Sequence, residues 1–204
     1  MRKTAIYTAL VACLLGVFLS ILSVNNHFRL AKKGFSEQSY CSINEFVNCD
    51  LVSASSYSEV FSVPVSWWGL TFYLLAAIFL LLCLLKEQRA KSRLAFAGLL
   101  AAFSVLYSIR MAYVLFFVLN VFCIECVGMY AANLIIFASI FFANSEAFKK
   151  LKSSLSFKNL LNYGALSLLF FAISWGVIKQ VQASGKKGVS RASVAEKVDA
   201  HFRG

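Results

Sequence analysis

The sequence is short of charge, of proline and of histidine. Only 14% of its 204 residues are charged while 60% are hydrophobic; a soluble domain carries about 25% charged residues. That composition excludes an ordinary water-soluble globule. The single proline, Pro64, leaves the long runs of Leu, Phe, Ala and Ile free of helix breakers. Those runs are continuous rather than alternating, which excludes a transmembrane barrel and leaves helices as the spanning form. The two histidines, His27 and His201, are isolated and lie outside the runs. No histidine adjoins a cysteine pair, so a Cys–His nucleophile has no support.

Charge is scarce but biased. The net charge is +11, which in a soluble domain would suggest nucleic acid. Here most Lys and Arg fall in short connections between apolar runs, where they set orientation. No basic face is left to dock a duplex, and no nucleic-acid partner is expected. The polybasic bias fits a lipid membrane instead.

Five stretches are long enough to cross a hydrocarbon core of about 20 apolar residues: residues 5–25, 63–85, 94–119, 121–143 and 160–181. The first follows "MRKT" but is too long for a signal-peptide core and lacks a small-x-small cleavage pattern, so it reads as retained. Arg2, Lys3, Lys86, Arg89, Lys91, Arg93, Lys149, Lys150, Lys152 and Lys158 all fall on one side if five spans alternate, and that side is expected to be the cytoplasm. The 26–62 loop, the junction near Asn120 and the tail after residue 181 fall on the other. The tail carries Lys186, Lys187, Arg191, Lys197 and Arg203, yet tails translocate largely regardless of charge. "QASGKKGVSRASVAEKVDAHFRG" reads as a linker with a short amphipathic helical piece, either a flexible end or the front of a further soluble domain. The expected organisation is a catalytic core over 1–145 with its outer loop at 26–62, a cytoplasmic loop and fifth helix over 146–181, and an extracytoplasmic tail over 182–204.

Of six cysteines, Cys13 and Cys83 lie deep in apolar spans and read as small core residues. The other four share the outer face: Cys41 and Cys49 in the loop, Cys123 opening the fourth span and Cys126 one turn deeper. Disulfides persist in that compartment. A continuous helix would hold residues eight apart at about 12 Å, against roughly 4.4–6.8 Å for a disulfide, so "CSINEFVNC" must double back if its cysteines pair. Cysteines three apart in a helical first turn come to about 5 Å and can bond. There the unpaired N–H groups and the positive helix end favour a thiolate. Two static structural disulfides would explain an even count. A four-cysteine zinc site fits the count but not the usual spacing. A redox relay accounts for one loop-borne pair and one pair held at the membrane surface, with electrons passing from a soluble partner through the loop to C-x-x-C and into the bilayer.

"YCSINEFVNCDLVSASSYSEVFSVPVSWWGLTFYLL", followed about 70 residues later by "FCIECVGMYAANLI", resembles the vitamin K epoxide reductase family, specifically its bacterial members, over roughly residues 5–145. The resemblance rests on two loop cysteines eight apart, a hydroxyl residue six after the second, a Pro-then-Trp-Gly opening to the next span, and C-x-x-C with tyrosine four residues on. It implies a four-helix bundle around a quinone with a fifth, peripheral transmembrane helix and a capping loop. It also implies roles. Cys41 exchanges with the redox partner, Cys49 attacks Cys123, and Cys126 donates electrons to the quinone. Ser55 matches a loop hydroxyl, and Tyr130 matches a tyrosine near the quinone carbonyl. An asparagine that binds quinone in the animal enzymes is replaced here within "PVSWWG", where Val65 aligns with Ser66 beside it, which argues against epoxide chemistry. The bacterial members resemble a disulfide-forming machine that oxidises a thioredoxin-like or DsbA-like protein, sometimes fused after the fifth span. The implied localisation is an inner, cytoplasmic membrane with the active site on the periplasmic face, and the implied cofactor is ubiquinone or menaquinone.

Trp67 and Trp68 open the second span as an aromatic belt or as rings lining the quinone pocket, with Ser66 beside them. Arg110 is the only charge well inside a span, either snorkelling to an end or acting at the quinone. Against a thiol–quinone oxidoreductase stand a quinone or vitamin K epoxide reductase, and a structural or transport protein with static disulfides. The unrelated DsbB type of oxidase also has four helices and two cysteine pairs, but its C-x-x-C comes first in sequence.

Overall fold

The computed structural model describes residues 3–33, 39–44, 46–85, 90–143 and 157–184. Its elements in order are α1 (Lys3–Lys33), α2 (Cys49–Ala54), a 3-10 turn (Ser56–Ser58), β1 (Glu59–Val60), β2 (Val63–Pro64), α3 (Val65–Leu85), α4 (Ala90–Tyr113), a π turn (Val114–Val118), α5 (Ile124–Ala143) and α6 (Phe157–Ser184). Among the described residues five helices are long and apolar enough to cross a membrane. The fold is an all-α membrane bundle, as expected. The basic connections at 86–89 and 144–156 and the tail from 185 onward lie outside the described residues.

Helices α1, α3, α4 and α5 form the bundle. Its core is built from Ile6, Ala9, Cys13, Tyr73, Phe79, Leu80, Leu94, Ala97, Ala101, Ile136 and Ile140. Cys13 and Cys83 are buried free thiols within it. Close approach of α1 to its neighbours depends on two glycines. A Cβ on Gly16 would sit 2.5 Å from the Tyr73 ring, and one on Gly128 would sit 2.8 Å from Leu19. Tyr73 fills the space at Gly16 and donates from its hydroxyl to the Met129 carbonyl, 3.1 Å away, tying α3 to α5. Gly16→Ala overpacks this crossing and should cost about 1–3 kcal/mol, read as a lower unfolding midpoint in detergent. Gly176→Ala, with nothing within 4 Å of the new methyl, should leave the midpoint unchanged.

Helix α6 packs outside the bundle and is mostly exposed, with Leu168, Leu169, Ile173 and Trp175 facing outward. Trp67 anchors it: the indole N–H donates to Ser174 Oγ at 2.8 Å, and Thr71 Oγ1 and Ser174 Oγ share a 2.6 Å hydrogen bond. Near its end, Lys179 Nζ and Gln182 Nε2 donate to the Ser62 carbonyl at 3.2 and 3.1 Å. The Phe61–Ser62 tip of the β1–β2 hairpin, with both residues at positive φ, is thereby held at the same end of the bundle as the last turns of α6.

One boundary differs from the sequence expectation. The first helix does not stop at residue 25 but continues to Lys33. Its 31 residues span about 46 Å at 1.5 Å per residue, against a hydrocarbon core of about 30 Å. The last turns of α1 therefore stand clear of the bilayer and carry Asn26, His27 and Arg29. His27 is accordingly not isolated. It is buried inside α1 with Nε2 3.1 Å from Glu59 Oε1, which pins β1 to the helix.

Candidate functional site

The loop cysteines meet because the chain between them doubles back on its own polar side chains. Asn44 Oδ1 accepts from the backbone N–H groups of Phe46 and Val47 at 3.0 and 2.6 Å, and Ile43 N donates to the Val47 carbonyl at 2.9 Å. Asn48 then caps α2 through Leu51 N at 3.1 Å, and Ser42 Oγ donates to the same Asn48 Oδ1 at 2.9 Å. An uncapped N–H at a helix start would need another partner. With the turn closed, Cys41 and Cys49 form a disulfide with a Cα separation of 5.5 Å.

This loop is docked, not adrift. Asp50, next to Cys49, accepts from Arg29 Nη2 at 2.6 Å and from Ser39 N at 2.9 Å. Arg29 also grips Asn26 Oδ1 on α1 at 2.6 Å. On the other side, Asn48 N donates to the Phe122 carbonyl at 3.1 Å and Phe122 N donates to the Phe46 carbonyl at 2.7 Å. The two backbones pair in parallel at Val47 and Phe122, with the Phe46 and Phe122 rings stacked. Cys49 is two residues from one member of that bridge and Cys123 is one residue from the other, so the bridge sets the approach of the two pairs.

The second pair sits where α4 gives way to α5. The end of α4 loosens into the π turn, a feature that recurs at functional sites. Leu119 N donates to the Val114 carbonyl at 2.9 Å, and Asn120 takes a left-handed φ of 51°, a conformation in which Asn is enriched. Cys123 follows in the N-cap position of α5: its carbonyl accepts from Val127 N at 3.0 Å and its Sγ accepts from Cys126 N at 3.2 Å. Cys123 and Cys126 are joined in a disulfide with a Cα separation of 5.3 Å. On reduction, the Cys126 N–H and the positive end of α5 favour a thiolate at Cys123.

All four cysteines belong to one cluster. Cys41, Cys49 and Cys123 are buried with Leu115 from the π turn, and Val52, Cys126, Val127 and Tyr130 pack against them. Beside it Val114, Leu119 and Val121 receive Leu51, Val52 and Tyr57, so α2 is seated on the π turn by apolar contact as well as by the bridge.

The other residues expected at the site divide. Tyr130 is in the cluster. Ser55 is buried at the C-cap of α2, where its Oγ donates to the Val52 carbonyl at 2.8 Å. Ser66 is buried at the start of α3. Trp67 lies at the seam with α6, bonded to Ser174 there, and Trp68 donates to the Val60 carbonyl at 3.2 Å and faces Phe171. Arg110 is exposed in the last turn of α4, and the apolar helical run continues past it through the π turn to Val118.

Four residues escaped the sequence reading: Arg29, Tyr40, Asp50 and Glu125. Glu125 lies between the two cysteines of C-x-x-C, in the first turn of α5, and is 2% exposed. It is an acidic residue inside an apolar run, which is the signal that could have found it. Tyr40, next to Cys41, donates its hydroxyl to Glu125 Oε1. Its side chain is largely exposed, but the hydroxyl end turns inward. Loss of water there, reinforced by the Glu125 carboxylate, holds the phenol above its usual range, so Tyr40 stays a donor.

The family model for the vitamin K epoxide reductase family matches residues 7–141 of the 204. The matched segment contains nearly all of α1, the docked loop, both disulfides and nearly all of α5. With two thirds of its length matched, including the whole cysteine cluster, the chain belongs to the vitamin K epoxide reductase family of membrane oxidoreductases.

Proposed function

We propose that the protein is a membrane thiol–quinone oxidoreductase that promotes disulfide formation in a thioredoxin-like or DsbA-like partner. The observation that carries this reading is the packing of two disulfides in one cluster, with the loop pair hydrogen-bonded through Asn48 and Phe46 to the residue before Cys123. Static disulfides need no such juxtaposition.

Cys41 and Cys49 accept two electrons from the partner dithiol through a mixed disulfide. Cys49 then attacks Cys123, and the inner bond breaks with Cys126 as the leaving thiolate. Cys123 suits the attacked position because its sulfur already accepts the Cys126 N–H, which steadies the thiolate it becomes when released. Cys126, one turn into α5, passes the electrons to ubiquinone or menaquinone, an apolar substrate dissolved in the bilayer.

The residues around Cys126 fit such a substrate. Tyr130 follows one turn on, and Asn133 on the same stripe of α5 donates Nδ2 to Ser108 Oγ at 2.8 Å while its buried Oδ1 has no partner. A buried polar atom with no partner, inside a membrane bundle, is costly unless something uses it. Tyr130 and Asn133 would hold the ring oxygens, with Ser55 bounding the loop side and Ser66 and Trp67 at the neighbouring start of α3. The expected orientation puts the cluster on the extracytoplasmic, periplasmic face of the inner membrane.

The test is oxidation of a reduced thioredoxin by the purified chain with ubiquinone or menaquinone. Wild type should turn over both substrates in equal amounts, and Cys41→Ser should stop thioredoxin oxidation while leaving quinone reduction by dithiothreitol. Reduction of vitamin K epoxide in place of quinone would favour an epoxide reductase. No electron transfer to either acceptor would sink the redox reading.

A further inference from the structure

Three of the four cysteines are sealed from solvent, Cys41 and Cys49 at 0% exposed and Cys123 at 2%, and Cys126 is partly buried. Thiol–disulfide exchange nevertheless moves protons, because each attacking thiol must become a thiolate and each released thiolate must be protonated or held. A proton acceptor inside the seal is required. Two buried carboxylates lie close by, Asp50 and Glu125. Asp50 is committed, with one oxygen on Arg29 and the other on Ser39 N. Glu125 differs. Its Oε1 accepts from Tyr40, Ser23 on α1 also bonds its carboxyl, and Oε2 is buried with no partner. A wholly buried carboxyl oxygen left unpaired is costly, and here it belongs to the residue between the two inner cysteines.

We propose that Glu125 is the internal proton acceptor of the exchange between the two cysteine pairs, a role that rests on the relay described above. The step balances as follows. The Cys49 thiolate attacks Cys123, the Cys123–Cys126 bond breaks and Cys126 leaves as a thiolate. The Cys41 thiol then gives its proton to Glu125 Oε2 and attacks Cys49, forming the Cys41–Cys49 bond. Cys123 is released as a thiolate and takes that proton back from Glu125. Two electrons and one proton have crossed from the loop pair to the inner pair, with no external base. Tyr40 and Ser23 hold the carboxyl so that Oε2 stays free. The groups facing Glu125 are thus Ser23 from α1, Tyr40 from the loop, and Asp50 with its Arg29 partner.

General acid–base assistance is worth about 10²–10⁴-fold. Glu125→Gln keeps the shape and removes the proton site. Oxidation of reduced thioredoxin with ubiquinone should therefore slow about 100-fold near neutral pH and become steeply faster with rising pH, as hydroxide replaces the carboxylate. Wild type should show a plateau. Tyr40→Phe keeps the carboxylate and should lose less, retaining the plateau. Glu125→Asp, with the carboxyl restored, should recover part of the rate if the Gln variant folds poorly. A Glu125→Gln rate within twofold of wild type, with the same pH profile, overturns the proposal. Failure of the relay itself reads differently, since wild type would then reduce no ubiquinone at any pH.

Discussion

Replacing Cys126 by serine should abolish quinone reduction and leave the protein caught in a covalent intermediate. Serine cannot form the inner bond, so Cys123 is free in the resting protein and meets Cys49 across the Val47–Phe122 bridge. The Cys123 thiolate of the variant attacks Cys49, breaking the Cys41–Cys49 bond and releasing Cys41 as a thiolate; with Cys126 gone only Cys41 can resolve the mixed disulfide, so alkylating that thiol traps it. Mapping by mass spectrometry should find a Cys49–Cys123 crosslink in most of the Cys126→Ser population and little in wild type. Quinone turnover should fall by at least about 10³-fold, as for removal of a residue that forms a covalent intermediate. Crosslinks involving Cys41 in place of Cys49 would reverse the assigned order of the loop cysteines. Residual quinone reduction near the wild-type rate would remove Cys126 from the path.

The second large effect concerns the dock that holds the loop. Arg29→Met takes the guanidinium from a pair whose Asp50 side chain is 3% exposed and whose Arg29 side chain is 22% exposed. Breaking a fully buried pair by removing one partner costs about 3–5 kcal/mol, and partial access of water to Arg29 lowers that to about 2 kcal/mol. At about 2–4 °C per kcal/mol for a chain of this size, the unfolding midpoint in detergent should drop by about 4–8 °C. Protease should also cut the loop between Ser39 and Asn48 faster, while the spanning helices stay intact. Arg29→Met combined with Asp50→Leu removes both charges and should recover much of the loss, because the stranded carboxylate is gone. A single variant as stable as wild type, or a double variant no better than the single, would show that the pair does not hold the loop.

Much of this molecule was legible in its sequence for a physical reason: lipid imposes long apolar runs, and charge marks where they stop. Five spans, the gathering of four cysteines in one place and the helical first turn at Cys123 and Cys126 all follow from hydropathy and spacing. The end of α1 did not follow. "SVNNHFR" looks like the start of a loop because its polarity rises, yet two of its side chains find partners distant in sequence, Arg29 in Asp50 and His27 in Glu59, while Asn26 Oδ1 accepts from Arg29 one turn on. Hydropathy registers the cost of a polar residue in lipid and is blind to a helix that continues above it. The burial of Glu125 was hidden for the same reason, since its partners Tyr40 and Ser23 come from other segments. Trp67 shows the opposite limit. Its place at the mouth of the second span was readable, but its hydrogen bond to Ser174 depends on where a peripheral helix settles, which no local pattern records.

The uninterrupted length of α1 has a mechanical corollary. A helix turns about 100° per residue, so the contact of Gly16 with Tyr73 within the bilayer and the reach of Arg29 to Asp50 above it are held at one fixed angle to each other. The lipid-embedded half and the water-facing end cannot be reset separately. Any change that rotates α1 in its seat against α3 and α5 swings Arg29 and His27 through the same angle, and with them the loop that carries Cys41 and Cys49. The membrane packing of α1 therefore acts as the crankshaft of the outer site, setting the aim of the first disulfide from inside the bilayer.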